Sequence, residues 1–566
     1  MHIFGSVSDN GKVFSFENDP RSDNTHSLNN NFIHSDNKIF IYIDGNISKL
    51  SDEIIELTSK YHSISQKISY LHYIGFNFEN HICGSFNIFL FDHSSKEFRL
   101  IRDSRGTKSI YYANNGSKLI FSSDQSLIIN SIKNVTLNRR KLIQFLNMDY
   151  VSNKQTYFQE IFRVPPSHCL IYKNNISILK KYNLSKTLFK NEKNHDPTEG
   201  FKKHFLNSVA SFARKDKKIG VMMSGGLDSS AITVALKENN INQVYTYSAN
   251  FDHIKDNENL HETKYQKNVS EYTSYSHTVL QMEGKSPIKP IKKFTKILNQ
   301  PLNVPNLYMF EEIANKLVND RIDIILDGND GDTTVSHGFE ALFFYIRNLK
   351  LIKFTKETYL YSKYKKTSFP RMMRILIRQA IKEILNIKSE NKSTMLNEGL
   401  LIRKNPKNNI TYFSSHEQKL SNELHFWGNE FRNSFFRNFG INNYSPFYDE
   451  ELINFCLNMP LKNKLHNGYT RKVLRDFLAE YLPKEHAKRD KSILTSGLLR
   501  NFTLSDLEIV KNEYSNANQT LLKLIDKDRL EEIIINLENE KEINEKELII
   551  LQMFVSANTF LNVYKF

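Results

Sequence analysis

An apolar run that breaks at two glycines and restarts as a helix constrains this chain more than any other feature. The segment is Val221-Met222-Met223-Ser224-Gly225-Gly226-Leu227-Asp228-Ser229-Ser230, read as a buried strand, a tight turn and the first turn of a helix. Small residues at such a turn let backbone N–H groups close on an anion, and the helix N-terminus adds partial positive charge there. The loop lacks the Gly-Lys-Ser/Thr ending that sets an ammonium against β and γ phosphates, so it is not of the Walker type. Asp228 would repel an anion unless a divalent cation bridges the two, which points to a nucleotide with Mg²⁺. The alternative is a plain glycine-rich strand-to-helix turn.

The flanking pattern places this loop in a parallel α/β unit. Asp196-Pro197-Thr198-Glu199 offers an N-cap, a proline at the first helical position and a glutamate at the third. Phe201, Phe205, Val209 and Phe212 follow at helical spacing and define one apolar face. Ile219 to Met223, Val244 to Ala249 and Ile322 to Leu326 are short apolar runs between helical patterns. Ligands of such sheets bind at the carboxyl ends of strands, where both Ser224 to Ser230 and a second acidic loop, Asp327-Gly328-Asn329-Asp330-Gly331-Asp332, fall.

Residues 1 to about 184 instead carry short alternating runs such as Lys38 to Ile43 and Phe86 to Phe91, the mark of a β-rich domain. Ser185 to His195 reads as a linker. A chain of 566 residues exceeds one ordinary core, and the division expected is 1–190 and 196–566, predominantly helical from about 338. The overall class is α/β in the second domain and α+β for the whole. The basic, aromatic stretch from Phe343 to Lys388, with Arg371, Arg374 and Arg378, reads as a solvated helix face; a leader peptide, a protein partner or a membrane surface are the other readings.

A formal net charge of +15 suggests an anionic partner, but Lys, Asn and Ile are heavily used throughout, as genome composition alone would produce. No run approaches eighteen uncharged apolar residues and the start has no signal-type core, so no membrane span and a cytoplasmic location are expected. Cys83, Cys169 and Cys456 have no metal-like pairing and suit core packing. Without zinc-like cysteine pairs or an RNA-binding motif, no nucleic-acid partner is expected.

With its two acidic loops in this order, the chain resembles the asparagine synthetase B family, whose ATP pyrophosphatase domain has a Ser-Gly-Gly-Leu-Asp-Ser loop and a later Gly-X-Gly-X-Asp loop. Thr246-Tyr247-Ser248, Glu262, Ser445-Pro446-Phe447-Tyr448-Asp449, Lys472-Val473-Leu474-Arg475 and Arg489-Asp490-Lys491 fall where that family has short motifs. The first domain is similar to its class II glutamine amidotransferase domain through Gly84-Ser85-Phe86, Phe91-Asp92, Arg102 to Tyr112 and Phe121-Ser122-Ser123-Asp124. The resemblance implies an Ntn-hydrolase-like β-rich sandwich followed by an adenine-nucleotide α-hydrolase-like (PP-loop) sheet with a helical extension. Only residues around 340 to 430 lack a clear counterpart.

One departure carries the functional expectation. Active members keep Cys directly after the initiator Met, because the freed amine serves as base for the attacking thiol; here that position is His2. No glutaminase activity is expected, and the first domain becomes a scaffold. An amine supplied by the substrate then replaces ammonia, as in β-lactam synthetases and lasso-peptide macrolactam synthetases, and Asp327 to Gly338 looks most like the latter. The implied partners are a precursor peptide, a leader-peptide protease and a leader-recognition protein. An ammonia-dependent asparagine synthetase or another small-molecule amide synthetase is the alternative.

The resemblance also implies roles. Asp228 and Asp332 match the Mg²⁺ carboxylates, and Ser224, Gly225, Gly226, Ser229, Ser248 and Gly328 match nucleotide-binding positions for ATP. Lys491 matches a lysine that reaches phosphate and acyl oxygens. Arg475 and Lys472 are candidates for phosphate binding, with plain helix-surface charge as the other reading. Asn329 stands where relatives place Glu or Tyr in an acid/base arrangement, and an amide cannot take a proton. Asp330, His337 or the substrate itself then remain as bases, while His337 could equally cap locally and Asp330 stabilise the turn.

Overall fold

The computed structural model describes residues 3–8, 13–18, 31–35, 38–132, 134–149, 154–189, 196–214, 216–251, 262–336, 340–384, 395–396, 412–490, 502–539, 541 and 544–566. His2, His337 and Lys491, three residues singled out above, lie outside them.

The first half is a sandwich of two antiparallel sheets. One sheet has the order β2 (Val13–Asn18), β1 (Ile3–Ser8), β8 (Lys118–Ser122), β7 (Tyr111–Asn115), β9 (Phe162–Arg163). The other runs β11 (Ile176–Lys181), β10 (His168–Lys173), β6 (Glu97–Arg102), β5 (Ile82–Asp92), β4 (Ile39–Leu50), β3 (Asn31–Ser35). Period-two alternation assigns the faces. Tyr42, Phe89, Phe91, Phe98 and Leu100 meet Val7 and Phe121 of the facing sheet. Ile41, Ile43, Ile88 and Leu90 point the other way, onto Ile54, Ile68 and Leu71 of the helices Asp52–Leu57 and Ile64–Tyr73. The three cysteines are buried and free.

The second half is built on a parallel sheet ordered β14 (Ser276–Gln281), β13 (Val244–Asn250), β12 (Ile219–Met222), β15 (Ile324–Leu326), β16 (Asn442–Tyr444). β12, β13 and β14 progress to one side, and β15 then returns to the opposite side of β12. The order therefore reverses between β12 and β15, and a crevice opens at their carboxyl ends. The helix Pro197–Phe212 buries Phe201, Phe205, Val209 and Phe212 against this sheet. Asp196 is its N-cap residue with Pro197 behind it, but the Asp196 side chain makes no capping bond; the capping expected from its sequence is corrected to backbone placement alone.

The halves share one core. The helix Glu545–Tyr564 is buried almost throughout and packs Phe554 and Phe560 with Tyr111, Ile128, Phe145, Tyr157 and Phe158 of the first half. Buried ion pairs add to this seam. Glu430 receives Arg102 at 3.0 Å and Arg163 at 2.7 Å as well as the Tyr111 hydroxyl at 2.9 Å. Asp44 receives Lys108 and Arg437, and Glu450 receives Arg105 in a two-pronged contact.

Candidate functional site

The turn after β12 is built to expose backbone toward the crevice. Gly225 has φ +79°, a conformation that favours glycine, and a Cβ there would come within 3.1 Å of the Gln266 nitrogen and the Glu262 carbonyl. The turn is thus pressed against the helix Glu262–Thr273. Arg489, stacked 4.3 Å over the Tyr265 ring, donates to the Gly225 carbonyl and lies 3.4 Å from Glu262. The Gly226 N–H is held by Ser224 Oγ at 3.2 Å, and Ser224 and Ser229 hydroxyls lie 3.2 Å apart. Gly226 caps the helix Leu227–Glu238, whose first turn carries Asp228.

The two acidic turns meet. A Cβ on Gly331 would stand 2.5 Å from Asp228 Oδ1, and one on Gly328 would stand 3.0 Å from Asp228 Cβ and the Ser229 nitrogen. Only glycine at these two places lets the loop after β15 close on the first turn of the helix after β12. Both carboxylates act on one guanidinium: Arg471 Nη1 donates to Asp228 Oδ1 and Oδ2 at 2.9 and 2.8 Å, and its charge is further stabilised by Asp332. Arg471 is buried at φ +53°, immediately before the helix Lys472–Tyr481. Burial pushes the Lys419 ammonium down to about 8, against the pull of Asp332. Among the described residues no cluster of three or more His, Cys, Asp or Glu side chains forms a metal cage.

The second loop is held from below and occupied from above. Asp327 is buried, accepting from the Asn329 N–H at 3.1 Å and Asn443 Nδ2 at 3.0 Å, with Arg432 at 3.4 Å. Asp330, at φ +57°, accepts His425 Nδ1 at 2.7 Å on Oδ1; its Oδ2 takes the Tyr448 hydroxyl and Asn329 Nδ2. Burial, then the Asp330 charge, keep the Tyr448 phenol protonated far above its usual range. Asp330 is therefore a hub joining Asn329, Tyr448 and His425 at the mouth of the crevice.

The remaining sequence candidates divide. Ser248 sits at the end of β13 with its hydroxyl 3.2 Å from His277 and 3.4 Å from Gln266, whose amide reaches the Ser224 carbonyl. Arg475 is turned away from the crevice: Nε donates to the Thr470 carbonyl, Nη1 to the Ala487 and Arg489 carbonyls, and Nη2 to Tyr364. It braces the chain leading to Asp490 rather than presenting donors to a ligand. Lys472 is engaged with Asp476 on its own helix. Arg471, His425 and Lys419 carried no sequence signal, each standing outside a recognisable run, while Tyr448 and Arg489 lay inside short motifs without an assigned role.

Residues 200–561 match the Asparagine synthase family, and residues 23–183 match the Glutamine amidotransferase domain. The chain is 25% identical over 272 residues to "Putative asparagine synthetase [glutamine-hydrolyzing] 2" of Methanocaldococcus jannaschii, covering 46% of this chain and 50% of that protein. It is 25% identical over 226 residues to "Asparagine synthetase [glutamine-hydrolyzing] 2" of Bacillus subtilis, covering 36% and 29%. It is also 25% identical over 221 residues to "Amidase chyE" of Penicillium rubens, covering 36% and 32%. The chain spans half or less of the length of these curated relatives.

Proposed function

The chain belongs to the Asparagine synthase family, and on that premise we propose that it is an ATP-dependent amide ligase that adenylates a carboxylate, releases pyrophosphate, and joins the acyl group to an amine with release of AMP. The observation that carries the reading is that Arg471 grips both oxygens of Asp228 at the switch point of the sheet, where Gly328 and Gly331 bring the turn carrying Asp332 against Asp228. Two acidic turns closed on each other by glycines at 328 and 331, each carrying one of these carboxylates, fit a magnesium–triphosphate whose other ligands are phosphate and water oxygens. Asp228 and Asp332 would hold the ion, and it would supply neutralising charge for the departing pyrophosphate. Ser224, Gly225, Gly226 and Ser229 would line the phosphates, with Arg471 balancing charge beside them. Lys491 remains the proposed partner of the developing phosphate and acyl oxygens.

The amine must lose a proton as it attacks, and Asn329 cannot receive it. We assign that proton to the Asp330–His425 pair: Asp330 fixes His425 through Nδ1, so the imidazole's other nitrogen is the acceptor. Replacing His425 with alanine is expected to lower amide formation by roughly a hundredfold or more while pyrophosphate exchange, which reports adenylation alone, changes little. Equal loss in both readouts would make His425 a structural residue.

Glutamine is not the nitrogen source in this proposal. All three cysteines are buried, and burial pushes the Cys169 and Cys456 thiols up to about 12 and that of Cys83 well up too. No thiolate is available to attack glutamine. The preferred substrate is a peptide whose own α-amine and Asp or Glu side chain are joined into a macrolactam of the lasso type, with a leader-peptide protease and a leader-recognition protein as partners. The names of the bacterial and archaeal relatives favour the second reading, an ammonia-using synthetase of asparagine or another small amide. Purified protein given ATP and Mg²⁺ should release AMP and pyrophosphate with a core peptide that becomes lighter by one water, and should form no glutamate from glutamine. Turnover only with aspartate and ammonia decides for the second reading.

A further inference from the structure

The helices between residues 340 and 384 pack around a small apolar core, and their outer face is basic and apolar at once. Ala341, Leu342, Phe343, Phe354, Tyr361 and Leu376 make that core. Residues 340–384 contain eleven lysines and arginines and three acids, Glu340, Glu357 and Glu383, in a chain of net charge +15. Glu357 is buried, accepting the Asn467 and Gly468 N–H groups. The span therefore keeps a formal excess of eight positive charges, and Glu357 does not offset it at the surface.

Two helices turn matching stripes outward. On Leu351–Tyr364 the stripe is Ile352, Lys356, Tyr359 and Lys363; on Phe369–Ile384 it is Arg371, Arg374, Ile375 and Arg378. Tyr359 packs edge-on against Phe369 at 5.8 Å, which brings the two stripes to one edge. Aliphatic side chains stand out among the cations: Leu349 is 81% and Ile352 87% exposed, and Leu351, Ile375, Ile377 and Ile381 are exposed as well. Leu349 also has φ +55°, at the corner between Glu340–Arg347 and Leu351–Tyr364. A branched apolar residue there is strained by its backbone and solvated on its side chain, where glycine or asparagine would be at ease.

We propose that this face docks on an anionic lipid bilayer, with the Leu349–Ile352 corner entering the headgroup layer and the lysine and arginine stripes lying on it. Charge complementarity selects an anionic partner. The outward aliphatic tips select a lipid surface over an acidic peptide, because a peptide ligand is gripped in a groove and these side chains project from a corner. No helix among the described residues is long and apolar enough to cross a membrane, so the attachment is peripheral. The inner side of these helices is bolted to the nucleotide half, Tyr364 donating to the Arg489 carbonyl and Lys365 pairing with Asp490. Docking would thus hold the crevice beside the membrane.

Co-sedimentation of the full chain with vesicles tests this. Phosphatidylglycerol–phosphatidylcholine vesicles should bind it, pure phosphatidylcholine should not, and added salt should weaken binding. The triple variant K356E/K363E/R374E should bind roughly a hundredfold more weakly. Leu349→Asn should raise thermal stability yet weaken vesicle binding by about tenfold, a combination that misfolding cannot produce. Absent vesicle binding, equal binding to neutral vesicles, or vesicle binding displaced by polyglutamate and indifferent to Leu349→Asn would each overturn the proposal.

Discussion

Alanine at Asp228 is expected to cut AMP and pyrophosphate formation by at least about a hundredfold, the cost of losing one preorganised charge at a phosphoryl-transfer site. Asp228 bridges the two turns: its carboxylate lies against Gly331 and both oxygens accept Arg471. Truncation removes an anion from the ion site and also leaves a buried guanidinium without its nearest counter-charge. Asp228→Asn isolates the loss of charge from the loss of shape, since the amide keeps the volume and one hydrogen bond to Arg471. Asp332→Asn, on the other turn, should reproduce the activity loss. Pyrophosphate exchange gives the readout, and circular dichroism with thermal melting shows whether the fold persists. Intact nucleotide turnover in either asparagine variant would remove the basis of the proposed chemistry.

The second large effect is on stability. Glu430→Ala should destabilise the protein by about 3–5 kcal/mol, because Arg102 and Arg163 would remain buried with no anion between them. Burial alone would raise the Glu430 pKa, but Arg163 and then Arg102 outweigh it and hold the carboxyl below its ordinary range. The Asp44 carboxyl, likewise buried, is held low by Arg437 and Lys108. A depressed carboxylate contributes stability that is fully present above its unfolded pKa, near 4, and is lost as pH falls through the lower folded value. The seam between the halves should therefore loosen only in acid, below about pH 4, and Glu430→Ala should weaken that acid dependence. A melt of the variant that matches the parent at neutral pH would show that the cluster contributes nothing net.

What was legible in the sequence is what local chemistry dictates. Strand, Gly-Gly turn and helix around Ser224 to Ser230 each follow from residues within one turn of one another, and so do the alternating runs of β4 and β5. β14 and β16 were not legible: Ser276–Gln281 is a half-exposed edge with mixed residues, and Asn442–Tyr444 has three residues and no apolar run. The partners of the acidic loops were hidden for another reason. Arg471 stands 243 positions from Asp228 and His425 stands 95 from Asp330, so only tertiary closure reveals them. Arg475, whose motif suggested phosphate, illustrates the converse, since its three nitrogens are engaged by the Thr470, Ala487 and Arg489 carbonyls and the Tyr364 hydroxyl.

The helix Glu545–Tyr564 has a consequence for how the chain comes to be folded at all. Phe158 and Tyr157 meet Phe560 from the far end of the sequence, so the amino-terminal sandwich cannot seal its lower surface while it emerges from a ribosome. At about 5–20 residues per second that delay lasts tens of seconds, during which a bare aromatic patch must be shielded by chaperones or by transient collapse. Completion thus waits for the helix Glu545–Tyr564, and the two halves mature together.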